Sequence, residues 1–261
     1  MTQRSGDGSA GDADYGLIGT SYSDYRRPDP RIAQQIVDAL GPARTVLNVG
    51  AGAGSYEPID RSVTAVEPSS TMRDQRPSEF PRAIDATAED LPFSTGAFDA
   101  AMTIFSIHQW SDLAAGLAEL RRVTVGPVVI LTCDPTLVER FWLADYAPDV
   151  LSTEARRCPS LTDIGDALGG TSTVGTIAIP LDCTDGFNEA YYGRPELLLD
   201  PAARSACSAW SFVTAERAAT YTAALRGALD DGRWDSEHAG LRTQPAYDGS
   251  LVLLVNYPAT H

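Results

Sequence analysis

The chain predicts an α/β fold built on a doubly wound, mostly parallel sheet, and three observations carry that expectation. Between Thr45 and Ile179 short apolar segments alternate with amphipathic ones, the pattern of strands joined by crossover helices. The apolar segment Thr45 to Val49 runs straight into a loop carrying Gly50, Gly52 and Gly54. The next apolar segment, Val63 to Val66, ends on an acid, Glu67, seventeen positions after Gly50.

Residues 1–14, rich in Gly, Ser and Asp, read as a disordered tail. Residues 15–43 read as an N-terminal lid and helix. Pro30 suits a helix start, and Ile32, Ile36, Val37 and Leu40 recur at helical spacing. The core spans 44–180 and begins with the strand Thr45 to Val49. About nine residues separate Gly54 from Val63, Pro58 among them, so the crossover helix there is expected to shrink to a turn or two. Val63 to Val66 is the second strand, followed by a helix near Ser69 to Gln75. Arg82 to Asp85 reads as a short third strand and Phe98 to Ile104 as the fourth. An amphipathic helix over Asp112 to Val123 leads to the fifth strand, Pro127 to Thr132. Leu161 to Leu168 and Val174 to Ile179 continue as helix and strand. Residues 181–247 break the alternation with Tyr191, Tyr192, a helical run over Glu196 to Phe212 and another over Ala215 to Leu229. This insertion, with residues 137–151 and the N-terminal segment, is expected to cap the carboxyl ends of the strands, the edge where open α/β sheets take ligands. Residues 248–261 return to the core as its final strand, Ser250 to Tyr257.

With 261 residues, 43% of them hydrophobic, the chain can build one sizeable core. All 20 basic residues are arginine, and the absence of lysine excludes Schiff-base and lysine-nucleophile chemistry. The formal charge of −15, with no basic stripe, argues against nucleic acid as a partner. No apolar run reaches membrane-spanning length, and the start MTQRSGDGSAGDADYG lacks an apolar signal core. A cytoplasmic monomer or homodimer without membrane contact is expected. Cys133, Cys158, Cys183 and Cys207 are scattered, so neither a metal site nor a disulfide framework is expected.

The glycine loop and the acid suit a nucleotide-like ligand. Glycines let the backbone approach it, and an acid at the next strand end accepts from both ribose hydroxyls. The spacing G-x-G-x-G, rather than G-x-G-x-x-G, points away from nicotinamide cofactors and toward S-adenosylmethionine, which has no pyrophosphate to seat. On TVLNVGAGAGSYE and VTAVEPSSTM, together with ATAEDLPFSTGAFDAAMTIFSIHQWSD and GPVVILTCDP, the chain resembles the class I S-adenosylmethionine-dependent methyltransferases, in particular their ubiquinone-biosynthesis-like small-molecule subgroup. The resemblance covers Thr45 to Asp134 and returns at the last apolar strand. It implies a seven-stranded Rossmann-like methyltransferase sheet with a helical cap insertion before the last strand, and S-adenosyl-L-methionine as cofactor. It also implies methyl transfer to a small molecule or peptide-derived metabolite in a biosynthetic pathway, with oxygen, nitrogen, carbon or a carboxylate as acceptor. A non-methylating S-adenosylmethionine-binding protein, cyclising or regulatory, is the alternative. Asn48, where the family more often has aspartate, and the shortened crossover leave room for it.

By the same resemblance, Gly50, Ala51, Gly52 and Gly54 hold the methionine portion through backbone groups. Glu67, followed by Pro68, takes the ribose. Ser69 and Met72 flank the adenine, unless they are a helix cap and a core residue. Ala88 and Glu89 lie beside the adenine amine, unless Glu89 is a surface acid. Tyr22, Tyr25 and Arg26 resemble lid residues. Arg26 would grip a carboxylate with two donors, or else pair with a neighbouring acid. Phe105 sits at the rim after the fourth strand. His108, one of three histidines, is the general-base candidate, or else packs on Trp110. Asp134, Trp142, Tyr191 and Tyr192, with Tyr22, are substrate-contact candidates. Asp134 also suits a helix cap, and the aromatics also suit a core.

Overall fold

Alternation of side chains along each strand decides the layering. In a computed structural model, which describes residues 25–259, six strands form one sheet in the order β2-β1-β3-β4-β6-β5. They are β1 Thr45–Val49, β2 Ser62–Val66, β3 Ala100–Ile104, β4 Val128–Cys133, β5 Thr171–Pro180 and β6 Ala246–Tyr257. The first four run parallel, and β6 lies antiparallel between β4 and β5. Val129, Leu131 and Cys133 of β4 face one apolar layer, while Val128 and Ile130 face the other. Both faces are therefore covered, as a parallel sheet requires.

Helix α1, Pro30–Leu40, covers the first face. Asp29 accepts from the Arg31 backbone N–H at its start, Pro30 needs no donor there, and Gly41 ends it at φ +59°. Ile32, Ile36 and Leu40 point inward and are completely buried, each worth roughly 1.5–3 kcal/mol. The short α2, Ser70–Asp74, follows β2, capped by the Ser69 hydroxyl accepting from the Met72 N–H. α3, Leu113–Val123, covers the second face and is capped by Asp112. Next come α4, Pro135–Val138, and α5, Pro148–Arg157, then α6, Leu161–Leu168, which joins α3 on the second face. Among the described residues no helix is long and apolar enough to cross a membrane.

Two departures from expectation have local causes. Between β1 and β2 there are turns only, because Pro58 and the short reach leave no room for a helix. The segment expected as a third strand contributes one bridge pair, Val66 with Ile84. Pro81 precedes it and Ile84 is 38% exposed, so this edge stays too short to be a strand and the sheet has six strands where seven were expected.

Between β5 and β6 the expected helical run over 196–212 is three short pieces, Pro195–Leu199, α7 Pro201–Ser205 and Ser208–Phe212, interrupted at Asp200–Pro201 and Cys207. Helices α8, Ala215–Asp230, and α9, Arg233–His238, complete the insertion. Tyr192, Trp210 and Trp234 share one apolar cluster with Val129 and Leu131, so the insertion is built onto the sheet. Glu189 ties it to β6: its carboxylate accepts from the Ser250 N–H at 2.9 Å and from the Ser250 hydroxyl at 3.0 Å. A Cβ on Gly249 would fall 2.6 Å from Glu189 Oε1, so glycine permits this approach. Burial, opposed by the Ser250 donors and aided by the Glu154 charge, pushes Glu189 up to about 7.

A folded-state pKa above the unfolded value means stability is fully present below about pH 4.5 and falls as pH rises to about 7. The shift corresponds to a loss on the order of 3 kcal/mol. Glu189→Gln, neutral at every pH, should therefore gain in Tm relative to the parent between pH 5 and pH 8. Parallel Tm-against-pH curves for the two proteins would exclude a buried ionising group here.

Candidate functional site

The ends of β1, β2 and β3 meet at the glycine loop. Gly50 and Ala51 donate their N–H groups to the Val66 carbonyl at 2.9 and 3.0 Å, locking the loop after β1 to the end of β2. Gly50 sits at φ +68°, a left-handed conformation that a side chain disfavours. A Cβ there would stand 1.7 Å from Ser106 Oγ, so the turn after β3 occupies the space that glycine leaves. The carboxylate of Glu67 clamps the two neighbouring loops: Oε2 accepts from the Gly52 N–H and Oε1 from the Ser69 N–H, each at 2.8 Å. Burial raises its pKa, opposed by those two N–H groups and by Arg73 and Arg76. Each oxygen keeps a second lone pair, which is what two adjacent ligand hydroxyls need.

These groups open onto a cleft of about 830 Å³, mouth included. Gly50, Ala51, Gly52, Glu67, Pro68, Met72, Ala88, Glu89 and Phe105 all line it, so nine cofactor candidates scattered along the sequence share one cavity. Glu89 Oε1 also accepts from the Ser111 N–H and hydroxyl and from the Asp112 N–H. Burial works against its ionised form, but those donors hold it below the usual carboxylate range. Ser69 is buried as the cap of α2 and Gly54 lies against Phe80, so neither lines the cleft. Tyr25 does not line it either; its hydroxyl donates to Asp200 at 2.6 Å. Asn48 does line it. Its amide donates to Glu57 at 3.0 Å instead of to the loop backbone, and Glu57 also takes both terminal nitrogens of Arg76.

A second hollow of about 640 Å³ adjoins the first at Phe105, which lines both. Phe105 has φ +51°, strain of roughly 1–3 kcal/mol for a bulky residue. Its ring lies 5.5 Å from Phe187 and 4.9 Å beneath the Arg26 guanidinium. His108, on the short helix Ile107–Gln109, lines this hollow and not the first. Arg26 does too, its Nε and Nη2 both donating to Asp185, which also accepts from the Tyr56 hydroxyl at 2.9 Å.

The remaining substrate candidates lie outside both hollows. Asp134 caps α4, accepting from the Thr136 N–H at 2.9 Å. Trp142 donates its indole N–H to the Tyr192 carbonyl and packs edge-on against Trp234. Tyr192 stacks on Tyr247, and Tyr191 is buried in the same cluster. Their large apolar areas close the joint between insertion and sheet. Tyr22 falls outside the described residues. Conversely, the second hollow is lined by Glu154, Asn188 and Phe187, none of which sequence reasoning singled out, and by Cys207, noted there only as one of four scattered cysteines. One signal was available: Glu154 falls at helical spacing on the face of Ala147, Val150 and Leu151, an acid in an apolar stripe.

Gly50→Ala should destabilise the protein by about 2 kcal/mol or more, through the left-handed backbone and the collision with Ser106. Urea unfolding of this variant and of Gly50→Ala/Ser106→Gly checks it, since removing the Ser106 side chain should restore only the steric part. Equal midpoints for the single variant and the parent would show that the two loops do not share this space.

Residues 47–126 match the methyltransferase domain family. A mitochondrial arginine-hydroxylase, NDUFAF5, from Danio rerio is 27% identical over 174 residues, covering 59% of this chain and 53% of that protein. The chloroplastic 2-methyl-6-phytyl-1,4-hydroquinone methyltransferase 2 of Oryza sativa subsp. japonica is 31% identical over 137 residues, covering 43% and 37% respectively. The chain thus spans about half, or less, of the length of these curated relatives. A crystal structure from Anabaena variabilis, of a protein designated a methyltransferase from an antibiotic biosynthesis pathway, superposes with a TM-score of 0.83 at 27% identity, covering 89% of this chain and 98% of that one. The matched residues contain the loop, the acid and the β3 turn that together build the cleft, and the likeness to the Anabaena structure covers 89% of the chain; residues 47–126 are similar to a methyltransferase domain.

Proposed function

We propose that the cleft binds S-adenosyl-L-methionine and that the protein transfers its methyl group to a small-molecule or peptide-derived acceptor in the adjoining hollow, within a biosynthetic pathway. The observation that carries this reading is the Glu67 carboxylate, fixed by two backbone donors at 2.8 Å with a lone pair left on each oxygen. Gly50 to Gly52 would face the methionine end, and Met72 with Ala88 the base, all of them lining one cavity. Asn48 brings no charge to that cavity, so the grip on the cofactor falls to backbone groups and Glu67.

The bound cofactor supplies an electrophilic methyl group, and the protein's contribution is to align an acceptor with it and exclude water. Alignment of this kind is worth roughly 7–11 kcal/mol of barrier. Phe105 stands where the two hollows meet, and its ring with Phe187 would orient the acceptor. Residues 181–247 and 137–151 act as the cap that excludes water from this junction. The Anabaena relative, designated for an antibiotic biosynthesis pathway, supports a biosynthetic role.

A second reading, binding without methyl transfer, is favoured by the curated relative named as an arginine-hydroxylase, because that name gives a chemistry other than methyl transfer. Incubation with methyl-labelled cofactor and a metabolite extract separates the two, since release of S-adenosylhomocysteine occurs only on transfer.

S-adenosylhomocysteine is expected to bind at micromolar strength, and Glu67→Ala to weaken it by about 1.5–3 kcal/mol, the loss of charged hydrogen bonds. Calorimetry on both proteins measures this. Equal affinities would remove Glu67 from the binding site.

A further inference from the structure

The second hollow contains a positioned acid. Glu154 projects from α5, and its Oε2 accepts from Asn188 Nδ2 at 2.7 Å. Asn188 is itself oriented, because its Oδ1 accepts from Trp210 Nε1 at 3.0 Å. This Trp–Asn–Glu chain fixes the plane of the carboxylate. Among the described residues no donor is seated on the other oxygen, Oε1. The side chain lies deep in the molecule yet stays partly accessible, because the hollow reaches it. The rings of Phe105 and Phe187 with Ala206 and Ala209 give the hollow an apolar side, beside the polar groups of Arg26, His108 and Arg157. A ring-sized apolar body therefore fits beside one oriented carboxylate.

We propose that Glu154 is the catalytic base for a hydroxyl-bearing acceptor, a phenol or alcohol on a ring-sized apolar body, bound in this hollow with its O–H on the Glu154 carboxylate. The inference rests on the methyl-transfer reading above. In the step, a lone pair of the hydroxyl oxygen forms the new O–C bond to the sulfonium methyl. The electrons of the broken S–C bond return to sulfur, and the O–H proton passes to Glu154. A carboxylate and a sulfonium become a carboxylic acid and a thioether, so charge and atoms balance.

The surrounding charges favour a neutral acceptor. Arg26 and Arg157 both bear on Glu154, Arg26 with its charge largely met by Asp185, so an ammonium would meet opposing cations. A carboxylate ligand would meet the Glu154 anion. The other titratable groups facing the acid are His108, Cys133, Cys158 and Cys207 in the hollow and Glu189 behind it. The Cys158 thiol and burial push Cys133 up, and burial pushes Cys207 up to about 12, so both stay thiols at neutral pH. Burial, offset in part by Asn188 and the two arginines, raises Glu154 above the usual carboxylate range and suits it to hold the proton it receives.

Phenol, benzylamine and benzoate, which share one ring and differ in the polar group, make a matched probe set. Their affinities are measured by ligand-observed NMR on the protein saturated with S-adenosylhomocysteine, and again without it. Phenol should bind best, and Glu154→Gln should weaken it about tenfold or more while preserving S-adenosylhomocysteine affinity. Phenol binding to the parent should fall as pH drops through the Glu154 pKa. That limb should vanish in Glu154→Gln and persist in Glu189→Gln. Tighter binding of benzoate or benzylamine, no binding of any probe, unchanged phenol affinity in Glu154→Gln, or loss of the limb in His108→Ala with retention in Glu154→Gln would each overturn the assignment. Failure of S-adenosylhomocysteine to bind, with phenol still bound through Glu154, would instead strike the cofactor reading alone.

Discussion

Glu67 is the joint on which the cleft depends. The residue is 7% exposed, and burying a charged side chain to that degree costs several kcal/mol unless donors replace the lost water. The Gly52 and Ser69 N–H groups do so from two different loops, and Arg73 and Arg76 lie close enough to stabilise the ionised form. One side chain thus satisfies two backbone donors that would otherwise be orphaned at the ends of β1 and β2. The neighbouring donors of Gly50 and Ala51 converge on the Val66 carbonyl, so the loop has little freedom left. A preorganised cleft follows from this arrangement, because its walls are backbone already held by strands.

Loss of the crossover helix between β1 and β2 has to be offset by something else. Arg76 and Glu57 form an ion pair whose side chains are 3% and 2% exposed, with Asn48 as a third partner. Such a pair contributes less through net stability than through the large cost of breaking it, which fixes where the turn can lie. In the same turn Tyr56, just before Glu57 and at φ +64°, donates to Asp185, and Asp185 holds Arg26. The segment after β1 is thereby tied to the insertion that precedes β6. The glycine-loop cleft and the second hollow consequently share structural supports as well as the Phe105 wall.

The two hollows also divide the chemistry. The first is walled by loop backbone, the Glu67 and Glu89 carboxylates and apolar side chains such as Met72 and Phe105, which suits a ligand recognised along its whole length. The second has rings and small side chains on one side and a single oriented acid flanked by Arg26, His108 and Arg157 on the other, which suits recognition of one polar group on an apolar body. The strained backbone of Phe105 persists because β3 on one side and the packed turn through Ser106 and Trp110 on the other leave it no alternative.

What the sequence determined by itself was whatever depends on neighbours in the chain. The apolar periods place β1, β2, β4, α3 and α6 within a residue or so. Pro30, Ser69 and Asp112 mark helix starts because capping needs only adjacent backbone. The glycine loop and Glu67 were legible because strand ends in this topology lie side by side in a fixed register. Only the tertiary structure decided the partners of Arg26, the burial of Trp142, Tyr191 and Tyr192, and the makeup of the second hollow. Arg26 meets Asp185 across 159 positions, and Asn188 meets Glu154 across 34. No local rule ties such pairs together, because their contact is set by how the insertion folds back onto β4 and β6. An aromatic side chain gains as much from filling that joint as from lining a pocket, and the choice is made by packing, which the order of residues alone does not display.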